Sequence, residues 1–148
     1  MEEPTVQRAT GPDLTATELY AILLLRAEVF VVEQACAYLD PDGRDLEPGT
    51  THLWVSDGHA CAACARVLTE PGGGHRIGRV VTAIAHRGQH LAGRLIDDAL
   101  SALDGTVVLD AQSHLLAVYA RHGFVADGPE FVEDDIPHTP MRLQRPSA

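Results

Sequence analysis

The clearest hydrophobic pattern lies near the middle of the chain. From Leu91 to Leu103, apolar residues recur at alternating steps of one and three positions, which places them on one face of an α-helix. Polar residues of the same segment, among them Arg94 and Asp97, fall on the opposite side. Asp104-Gly105 follows as a helix end. The pattern predicts an amphipathic helix that packs on a core.

Strand patterns flank this helix on both sides. β-Branched and apolar segments separated by turn residues predict six strands. They are Thr5 to Ala9, Thr51 to Ser56, Ala60 to Thr69, Ile77 to Ile84, Thr106 to Ala111 and His138 to Gln144. Asp57-Gly58 predicts a tight hairpin between the second and third strands.

Two further helices are predicted. The first runs from about Glu18 towards Phe30, with Thr15 or Thr17 as its N-cap. The second starts at Ser113 and continues to about Arg121, and Gly123 takes the left-handed position after it. Three antiparallel strands in sequence, followed by a strand–helix–strand crossover, favour a mixed sheet. We therefore predict an α/β fold of the α+β type, with a mostly antiparallel sheet and flanking helices.

Two acidic stretches are predicted as loops. Asp40 to Asp45, followed by Pro48-Gly49, is dense in turn residues. Its closely spaced carboxylates suggest a calcium loop, but the glycine comes too early and no bidentate glutamate follows at the twelfth position. An ordinary acidic loop is therefore favoured there. Asp127 to Asp135 is predicted as a second loop.

Length and net charge exclude several classes of protein. A chain of 148 residues fits one domain, residues 1–148, with a single core. The formal net charge of -10 argues against a nucleic-acid-binding surface, which needs a basic face. No apolar run approaches the roughly 20 residues of a membrane span, and the acidic start lacks the basic region of a signal peptide. We expect a cytoplasmic protein without nucleic-acid or membrane partners.

The three cysteines, Cys36, Cys61 and Cys64, are expected to be free thiols because an odd number cannot all pair within the chain. Cys61 and Cys64 have the spacing of a zinc or redox motif. In a strand, however, residues three apart point to opposite faces, and no second Cys/His pair follows at zinc spacing. We expect small core residues and no metal site.

The distribution of charge along the chain indicates an anionic ligand. All eleven basic residues are arginines, which excludes lysine Schiff-base chemistry and the lysine-dependent phosphate loop. No acidic residue occurs from Pro71 to Ile96, although Arg76, Arg79, Arg87 and Arg94 all fall within that segment. In an acidic protein this asymmetry favours an anion site. Chance clustering on a solvated face is the alternative.

The turn from Arg87 to Gly93 opens the amphipathic helix. The start of a helix presents unpaired backbone N–H groups and the positive end of its dipole. Gly88, Ala92 and Gly93 place no bulky side chain in front of these amides, so a phosphate can approach them. Arg87 adds positive charge, and Arg94 either adds to it or is a solvated helix residue.

This segment resembles the acetyl-CoA motif of the GNAT superfamily of N-acetyltransferases. The motif is Gln or Arg, two residues, Gly, one residue, then Gly or Ala. Arg87, Leu91 and Ala92 fit the spacing, and His90 stands where the first glycine is usual. Further residues resemble the ElaA-like branch of the superfamily, which is similar in accepting a non-glycine there. They are Arg26, Val29 to Gln34, Cys36, Tyr38, Asp40, Asp42-Gly43, Asp45, Gly78 to Val80, Arg87-Gly88, Tyr119, Gly123-Phe124, Ile136 to His138 and Met141.

The resemblance implies a GNAT fold with acetyl-CoA as cosubstrate. In that fold the strand before the motif is splayed from its neighbour, and its free amides hold the pantetheine arm of the cosubstrate. The matching residues here are Val80, Val81 and Thr82. The pyrophosphate is implied to meet the amides of Arg87, Gly88, Gln89, His90, Leu91, Ala92 and Gly93.

The resemblance also suggests a general acid. Acetyl transfer to an amine needs a deprotonated nucleophile, a stabilised oxyanion and a proton for the departing thiolate. Tyr119 lies four residues before Gly123-Phe124, where this superfamily often carries its general acid. The alternative for Tyr119 is a tyrosine packed between helix and sheet.

For the general base the sequence leaves several residues open. Glu33, in a polar pair after an apolar run, is the first candidate, and its alternative is a helix-end carboxylate that pairs with Arg26 or caps a neighbouring loop. His138 is the second candidate, because an imidazole titrates near neutral pH. His52 and His114 are weaker candidates for the lining of the site.

The predicted function is that of an acetyl-CoA-dependent N-acetyltransferase. It acts by direct attack in a ternary complex on an unidentified acceptor, a small-molecule or peptide amine. The alternative is a non-catalytic CoA-binding or interaction module. A serine hydrolase is a weaker alternative, because none of the four serines lies in a G-x-S-x-G turn. Assembly into a homodimer stays open.

Overall fold

A mixed sheet of eight strands forms the body of the computed structural model, which describes residues 4–146. The strands are β1 Gln7–Thr10, β2 Thr51–Asp57, β3 Ala60–Thr69, β4 His75–Thr82, β5 Gly105–Gln112, β6 Val125–Ala126, β7 Phe131–Glu133 and β8 Ile136–Arg145. Their order is β1-β2-β3-β4-β5-β8-β6, and β7 pairs with β8. Only the β4–β5 pair is parallel among the described strands. The predicted mixed and mostly antiparallel sheet is confirmed.

Three α-helices accompany the sheet in the described residues: α1 Ala16–Arg26, α2 Leu91–Ser101 and α3 Leu116–Ala120. Thr15 is the N-cap of α1, because its Oγ1 accepts from the Glu18 amide at 3.1 Å while Glu18 Oε1 accepts from the Thr15 amide at 2.9 Å. The predicted helix from about Glu18 towards Phe30 is confirmed as an α-helix only as far as Arg26. After Arg26 the chain continues in π-helical turns over Ala27–Glu33.

The other differences from the predicted elements lie at boundaries and in one loop. The strand predicted from Ile77 to Ile84 occupies His75–Thr82, and Ile84 belongs to a short 3₁₀ turn, Ile84–His86. The stretch from Asp127 to Asp135 is not only a loop, because β7 lies within it and pairs with β8. Charged residues there occupy an edge hairpin, where both strand faces reach solvent.

Residues on opposite faces of the sheet pack against different helices. Leu53 of β2 and Val107 of β5 join Leu95 and Ile96 of α2 in one apolar cluster, and all four are fully buried. Trp54 belongs to a second cluster, with α1. Neighbouring strand residues thus face different helices, as the pleat requires. Burial of each large apolar side chain contributes about 1.5–3 kcal/mol.

The two thiols of β3 break this alternation, and the prediction that they point to opposite faces is wrong. Cys61 and Cys64 both pack in the cluster that contains α1, whereas Ala62 and Ala63 both pack in the cluster that contains α2. The cause is a β-bulge. Val55 and Ser56 of β2 pair with Ala63 and Cys61 of β3, and Ala62 is the extra residue between them. The alternation of side chains along β3 therefore starts again at this point. Both thiols are buried, as predicted.

A second bulge deforms β4. The two residues Arg79 and Val80 lie opposite the single residue Ala65 of β3, and Arg79 has a φ of 51°, in the left-handed region. On its other edge, β4 pairs with β5 only at His75 and Arg76 within the described residues. Beyond those residues the two strands diverge. The splayed central strand expected from the resemblance is confirmed.

A closed network of ion pairs, named here the charge ring, holds the segment between the π-helical turns and β2. The ring alternates three arginines with three aspartates in the order Arg26, Asp40, Arg79, Asp42, Arg66 and Asp45. Its six N···O distances run from 2.7 Å to 3.5 Å, with the Arg79 Nη2–Asp42 Oδ2 contact the longest. The acidic segment is thus a loop, as predicted, but one whose carboxylates turn inward.

The ring joins three elements to that loop, residues 34–50, named here the acidic loop. Arg26 comes from the end of α1, Arg66 from β3 and Arg79 from β4, while all three carboxylates come from the loop. Arg26 is 1% exposed and Asp40 is 2% exposed. Charges removed from water so completely are tolerated only when each is paired and hydrogen-bonded. Arg26 meets that requirement, because it donates hydrogen bonds to both Asp40 and Asp45.

The ionisation of the ring's aspartates follows from this arrangement. Burial alone would raise the pKa of Asp45, but the Arg26 and Arg66 guanidinium groups outweigh burial and lower it. The same balance, with Arg66 as the main bonding partner, holds the pKa of Asp42 well below its usual range. Both carboxylates therefore stay charged when the protein is folded.

Asp45→Asn is expected to lower the free energy of unfolding by about 3 kcal/mol, because the neutral amide deprives two buried guanidinium groups, those of Arg26 and Arg66, of one of their two carboxylate partners. Since the folded-state pKa of Asp45 is lowered, its contribution is complete above the unfolded pKa of about 3.9 and is lost as the pH falls through the folded value. Urea denaturation should show a constant difference from wild type between about pH 5 and 7, and a smaller one below about pH 4.

The exposed Asp127 provides the matched control. Asp127→Asn should change the free energy of unfolding by less than about 0.5 kcal/mol. Equal effects of the two substitutions would contradict a stabilising charge ring.

Candidate active site

The divergence of β4 and β5 opens a cleft of about 550 Å³. Its walls come from the π-helical turns, the acidic loop, β4, β5, the start of α2, α3 and β8. Val80, Val81 and Thr82, predicted as the pantetheine-binding residues, line one wall. Because β4 has no partner strand on that side here, backbone groups on its edge face the cleft rather than β5. That edge is a ready place for an extended, amide-bearing ligand.

The predicted phosphate turn lies at one end of this cleft. Arg87 and Ala92 line it, whereas Gly88, Gln89 and His90 are exposed residues of the turn itself. Leu91 and Gly93 belong to α2, and the Leu91 side chain is buried in the core. Only its backbone amide is therefore free to meet a ligand.

His90 carries an unusual backbone conformation for a residue with a side chain. Its φ of 59° and ψ of 27° are left-handed, and its imidazole makes no capping hydrogen bond to the start of α2. The left-handed region costs a residue with a Cβ atom roughly 1–2 kcal/mol. The usual motif has glycine at this position, and the observed φ supplies the physical reason. His90 adopts the left-handed conformation that is usual for glycine, although its Cβ atom makes that conformation less favourable.

Arg87 already has an anionic partner. Its Nη1 and Nη2 each donate to one oxygen of Glu33 at 2.8 Å, and its Nε donates to the Thr82 carbonyl at 3.2 Å. The hydrogen bond from Arg87 lowers the pKa of Glu33. The alternative pairing of Glu33 with Arg26 is wrong, because Arg26 is buried in the charge ring. A carboxylate in a bidentate ion pair is a weak base.

Tyr119, the predicted general acid, lies on α3 with 8% of its surface exposed and lines the cleft. Its ring meets Phe124 edge-on, with the centroids 6.3 Å apart. Burial raises the pKa of Tyr119 to about 12. The phenol is therefore fully protonated at neutral pH, as a proton donor must be.

His138 lies on β8 and lines the same cleft. Its Nδ1 is 2.8 Å from the Ile136 carbonyl, and its ring stacks on Phe131 with a centroid distance of 5.6 Å. A carbonyl oxygen only accepts, so Nδ1 carries the hydrogen and Nε2 keeps the lone pair of the neutral imidazole. This geometry favours His138 over Glu33 as the group that takes a proton.

The two weaker histidine candidates separate in the structure. His114 lines the cleft. His52 does not, because it is buried beneath the acidic loop with Nε2 2.8 Å from the Asp45 carbonyl. Burial lowers the pKa of His52, which keeps the ring neutral beside the charge ring. The prediction that His52 can line the site is wrong.

Sequence reasoning missed two residues that shape the cleft. Tyr38 and Arg79 both line it, and Asp40 holds both. The Tyr38 hydroxyl donates to Asp40 Oδ1 at 2.7 Å, Arg79 Nε lies 2.9 Å from the same oxygen, and the guanidinium lies 5.9 Å from the Tyr38 ring centre. All three residues were among those that resemble the ElaA-like branch. Their presence among the residues that resemble the ElaA-like branch was the signal in the sequence that could have indicated them. Their spacing along the chain assigns them no role.

Nowhere in residues 4–146 do three or more His, Cys, Asp or Glu side chains gather as they would around a metal ion. None of the helices in the same range has the length and apolarity to cross a membrane.

Comparison with known proteins places this geometry in a family. Residues 22–145 match the family model described as an acetyltransferase (GNAT) domain. A UPF0039 protein of Mycobacterium tuberculosis is 47% identical over 141 residues, which cover 92% of this chain and 90% of that protein.

Two solved structures share both fold and sequence with the chain. An acyl-CoA N-acyltransferase from Pseudomonas aeruginosa superposes with a TM-score of 0.88 at 46% identity, covering 95% of this chain and 99% of that one. Escherichia coli ElaA superposes with a TM-score of 0.89 at 34% identity, covering 96% and 100%. The expected GNAT fold and the ElaA-like resemblance are confirmed.

His90→Gly is expected to raise the free energy of unfolding by about 0.5 kcal/mol. Glycine removes the left-handed strain of roughly 1–2 kcal/mol, but its larger backbone entropy in the unfolded chain offsets about half of that gain. His90→Ala is the matched control, because alanine keeps the Cβ atom and should give no gain. Urea denaturation of the three proteins measures the effect. An equal gain from both substitutions would assign the strain to the imidazole instead.

Proposed function

Because the chain belongs to the GNAT family of acetyltransferase domains, we propose that it transfers an acetyl group from acetyl-CoA to an amine by direct attack in a ternary complex. The observation that carries the proposal is the cleft between β4 and β5. It brings the unpaired edge of β4, the phosphate turn, Tyr119 and His138 together in one space. Acyl transfer from a CoA thioester is the chemistry that needs all four.

In this proposal acetyl-CoA lies along the splayed strand. The pantetheine arm follows Val80, Val81 and Thr82, and the pyrophosphate meets the backbone amides of the turn and of the start of α2. The left-handed Gly88 and His90 turn the chain so that successive amides lead into the helix. Amides on the β4 edge are also placed to stabilise the oxyanion that forms at the thioester carbonyl.

The transfer step balances with the residues of the cleft. The acceptor nitrogen attacks the thioester carbonyl carbon, and collapse of the tetrahedral intermediate breaks the C–S bond. His138 Nε2 takes the proton released by the nitrogen, and the Tyr119 hydroxyl gives a proton to the departing sulfur. Return of a proton from His138 to Tyr119, through solvent, restores both groups. The products are the N-acetylated amine and CoA.

The raised pKa of Tyr119 has an energetic consequence for this step. Transfer from a phenol of pKa about 12 to a thiolate whose acid is near about 8.5 is uphill by about 5 kcal/mol. Burial acts on the thiolate too, because a sulfur anion in the same cleft loses hydration and becomes more basic. Burial therefore raises the pKa of the CoA thiol as well as that of the Tyr119 phenol. The difference between the two pKa values becomes smaller as the C–S bond breaks.

A non-catalytic CoA-binding module is the competing proposal. A pure binder needs the β4 edge and the turn but gains nothing from Tyr119 or from the tautomer of His138 fixed by Ile136. These features favour the enzyme. We propose a small-molecule or peptide amine as the acceptor. Location in the cytoplasm and assembly into a homodimer stay predictions.

Acetyl-CoA is expected to bind the purified protein with a micromolar dissociation constant, and isothermal titration calorimetry measures it directly. With a panel of amines, a free-thiol assay should then detect release of CoA. Binding without thiol release for any amine would favour the binding module. No heat on titration would remove the cosubstrate claim.

Tyr119→Phe is expected to lower kcat by about 100-fold while the affinity for acetyl-CoA stays within about twofold. The phenyl ring keeps the packing against Phe124 and loses only the proton donor. Tyr20→Phe, at a tyrosine 72% exposed on α1, is the matched control and should leave kcat unchanged. An unchanged kcat in Tyr119→Phe from pH 6 to 9 would exclude the acid role.

A further inference from the structure

The ion pair between Glu33 and Arg87 crosses the cleft. Glu33 ends the π-helical turns on one side, and Arg87 begins the phosphate turn on the other. Both are partly open to solvent, with side chains 34% and 42% exposed. The two parallel hydrogen bonds of 2.8 Å fix the geometry. An ion pair so exposed contributes little net stability, so a better anion can replace Glu33 as the partner of Arg87.

Acyl-CoA brings such an anion to Arg87. A pyrophosphate carries two negative charges, and its oxygens match the guanidinium fork in the way that a carboxylate does. Arg87 directly precedes the turn residues Gly88 to His90, whose backbone leads into the start of α2. A diphosphate bound at this turn can contact both the backbone amides of the turn and the Arg87 side chain. Glu33 offers only a single charge in competition.

When Arg87 binds the pyrophosphate instead of Glu33, the Glu33 carboxylate is left without a countercharge. The other arginines of the cleft and its rim are already engaged. Arg79 is held by Asp40 and Asp42 in the charge ring, and Arg76 is held by Glu70 and Asp110 at 2.6 Å and 2.9 Å. A carboxylate freed in this cleft therefore attracts a cation from solution. The cation expected in an acetyltransferase is the ammonium form of an amine.

We infer that Arg87 exchanges Glu33 for the pyrophosphate of acyl-CoA, and that the released Glu33 is the binding site for a positively charged acceptor amine. The inference rests on the proposed function and adds a substrate class and a binding order to it. Acyl-CoA binds first and opens the acceptor site, and amines that are cations at neutral pH are preferred. Glu33 then binds the acceptor, while His138 takes the proton.

Calorimetry with CoA and with pantetheine, which lacks the pyrophosphate, tests the exchange. In Glu33→Gln the competing carboxylate is gone, so CoA should bind about fivefold tighter than to wild type, while pantetheine binds both proteins equally. Glu133→Gln removes another exposed carboxylate of the cleft wall and is the matched control for simple loss of negative charge. It should leave the affinity for CoA within about twofold, since it does not touch Arg87.

A double-mutant cycle keeps the inference falsifiable if a single variant behaves unexpectedly. In an Arg87→Gln background, Glu33→Gln should no longer change the affinity for CoA, because the exchanged group is absent. Equal affinity of wild type and Glu33→Gln for CoA would overturn the exchange and leave the proposed function standing. Failure of all variants to bind CoA would overturn both. An equal gain for the uncharged pantetheine would assign the effect to the part of the cleft that holds the pantetheine arm, and it would overturn the exchange at the pyrophosphate.

The acceptor site has its own test with 1,4-diaminobutane as a cationic probe. The probe should bind wild type saturated with CoA about tenfold tighter than it binds the free protein. Glu33→Gln should lose this difference, and Glu133→Gln should keep it. Absence of any CoA-dependent binding to wild type would overturn the assignment of Glu33 to the acceptor.

Discussion

The shape of the cleft depends on a ring of six charges, of which Arg26, Asp40, Asp45 and Arg66 are buried. Three aspartates of one loop are tied to arginines from α1, β3 and β4, and the apolar side chains Leu39 and Leu46 of that loop are exposed. Through Asp40 the ring also orients Tyr38 and Arg79 in the cleft wall. A loop of this length would otherwise sample many conformations. Ionic pairing replaces hydrophobic packing in this part of the molecule.

The bulge in β4 connects the ring to the chemistry. At Arg79 the strand has one more residue than β3 and is bent. The pairing of β4 with β5 ends three residues before this bulge, at Arg76. One of the three arginines that hold the acidic loop is thus also a residue at which the sheet is deformed. Position of the loop, direction of the strand and width of the cleft are determined together.

Periodicity in the sequence predicted the elements whose side chains follow a simple repeat. The helix that begins at Leu91, the hairpin around Gly58 and the late crossover were confirmed because burial on one face dictates their pattern. Resemblance supplied the splay and the residues around the turn. The face of Cys61 could not be predicted, because a bulge of one residue reverses alternation without any mark in composition. Partners such as Glu33 and Arg87, 54 positions apart, are joined only by the finished fold.

The divergence of β4 from β5 also leaves a length of strand edge without a partner strand. A strand with an unpaired edge is a template for the edge of another chain, and sheets usually hide or charge such edges. Here the open edge lies in the interior of the sheet, within a cleft walled by α2, α3 and the π-helical turns. The walls on both sides narrow the approach to this edge, which suits a single extended chain of amides. The fold thus keeps a row of backbone hydrogen-bonding groups inside a cleft rather than at the outer edge of the sheet.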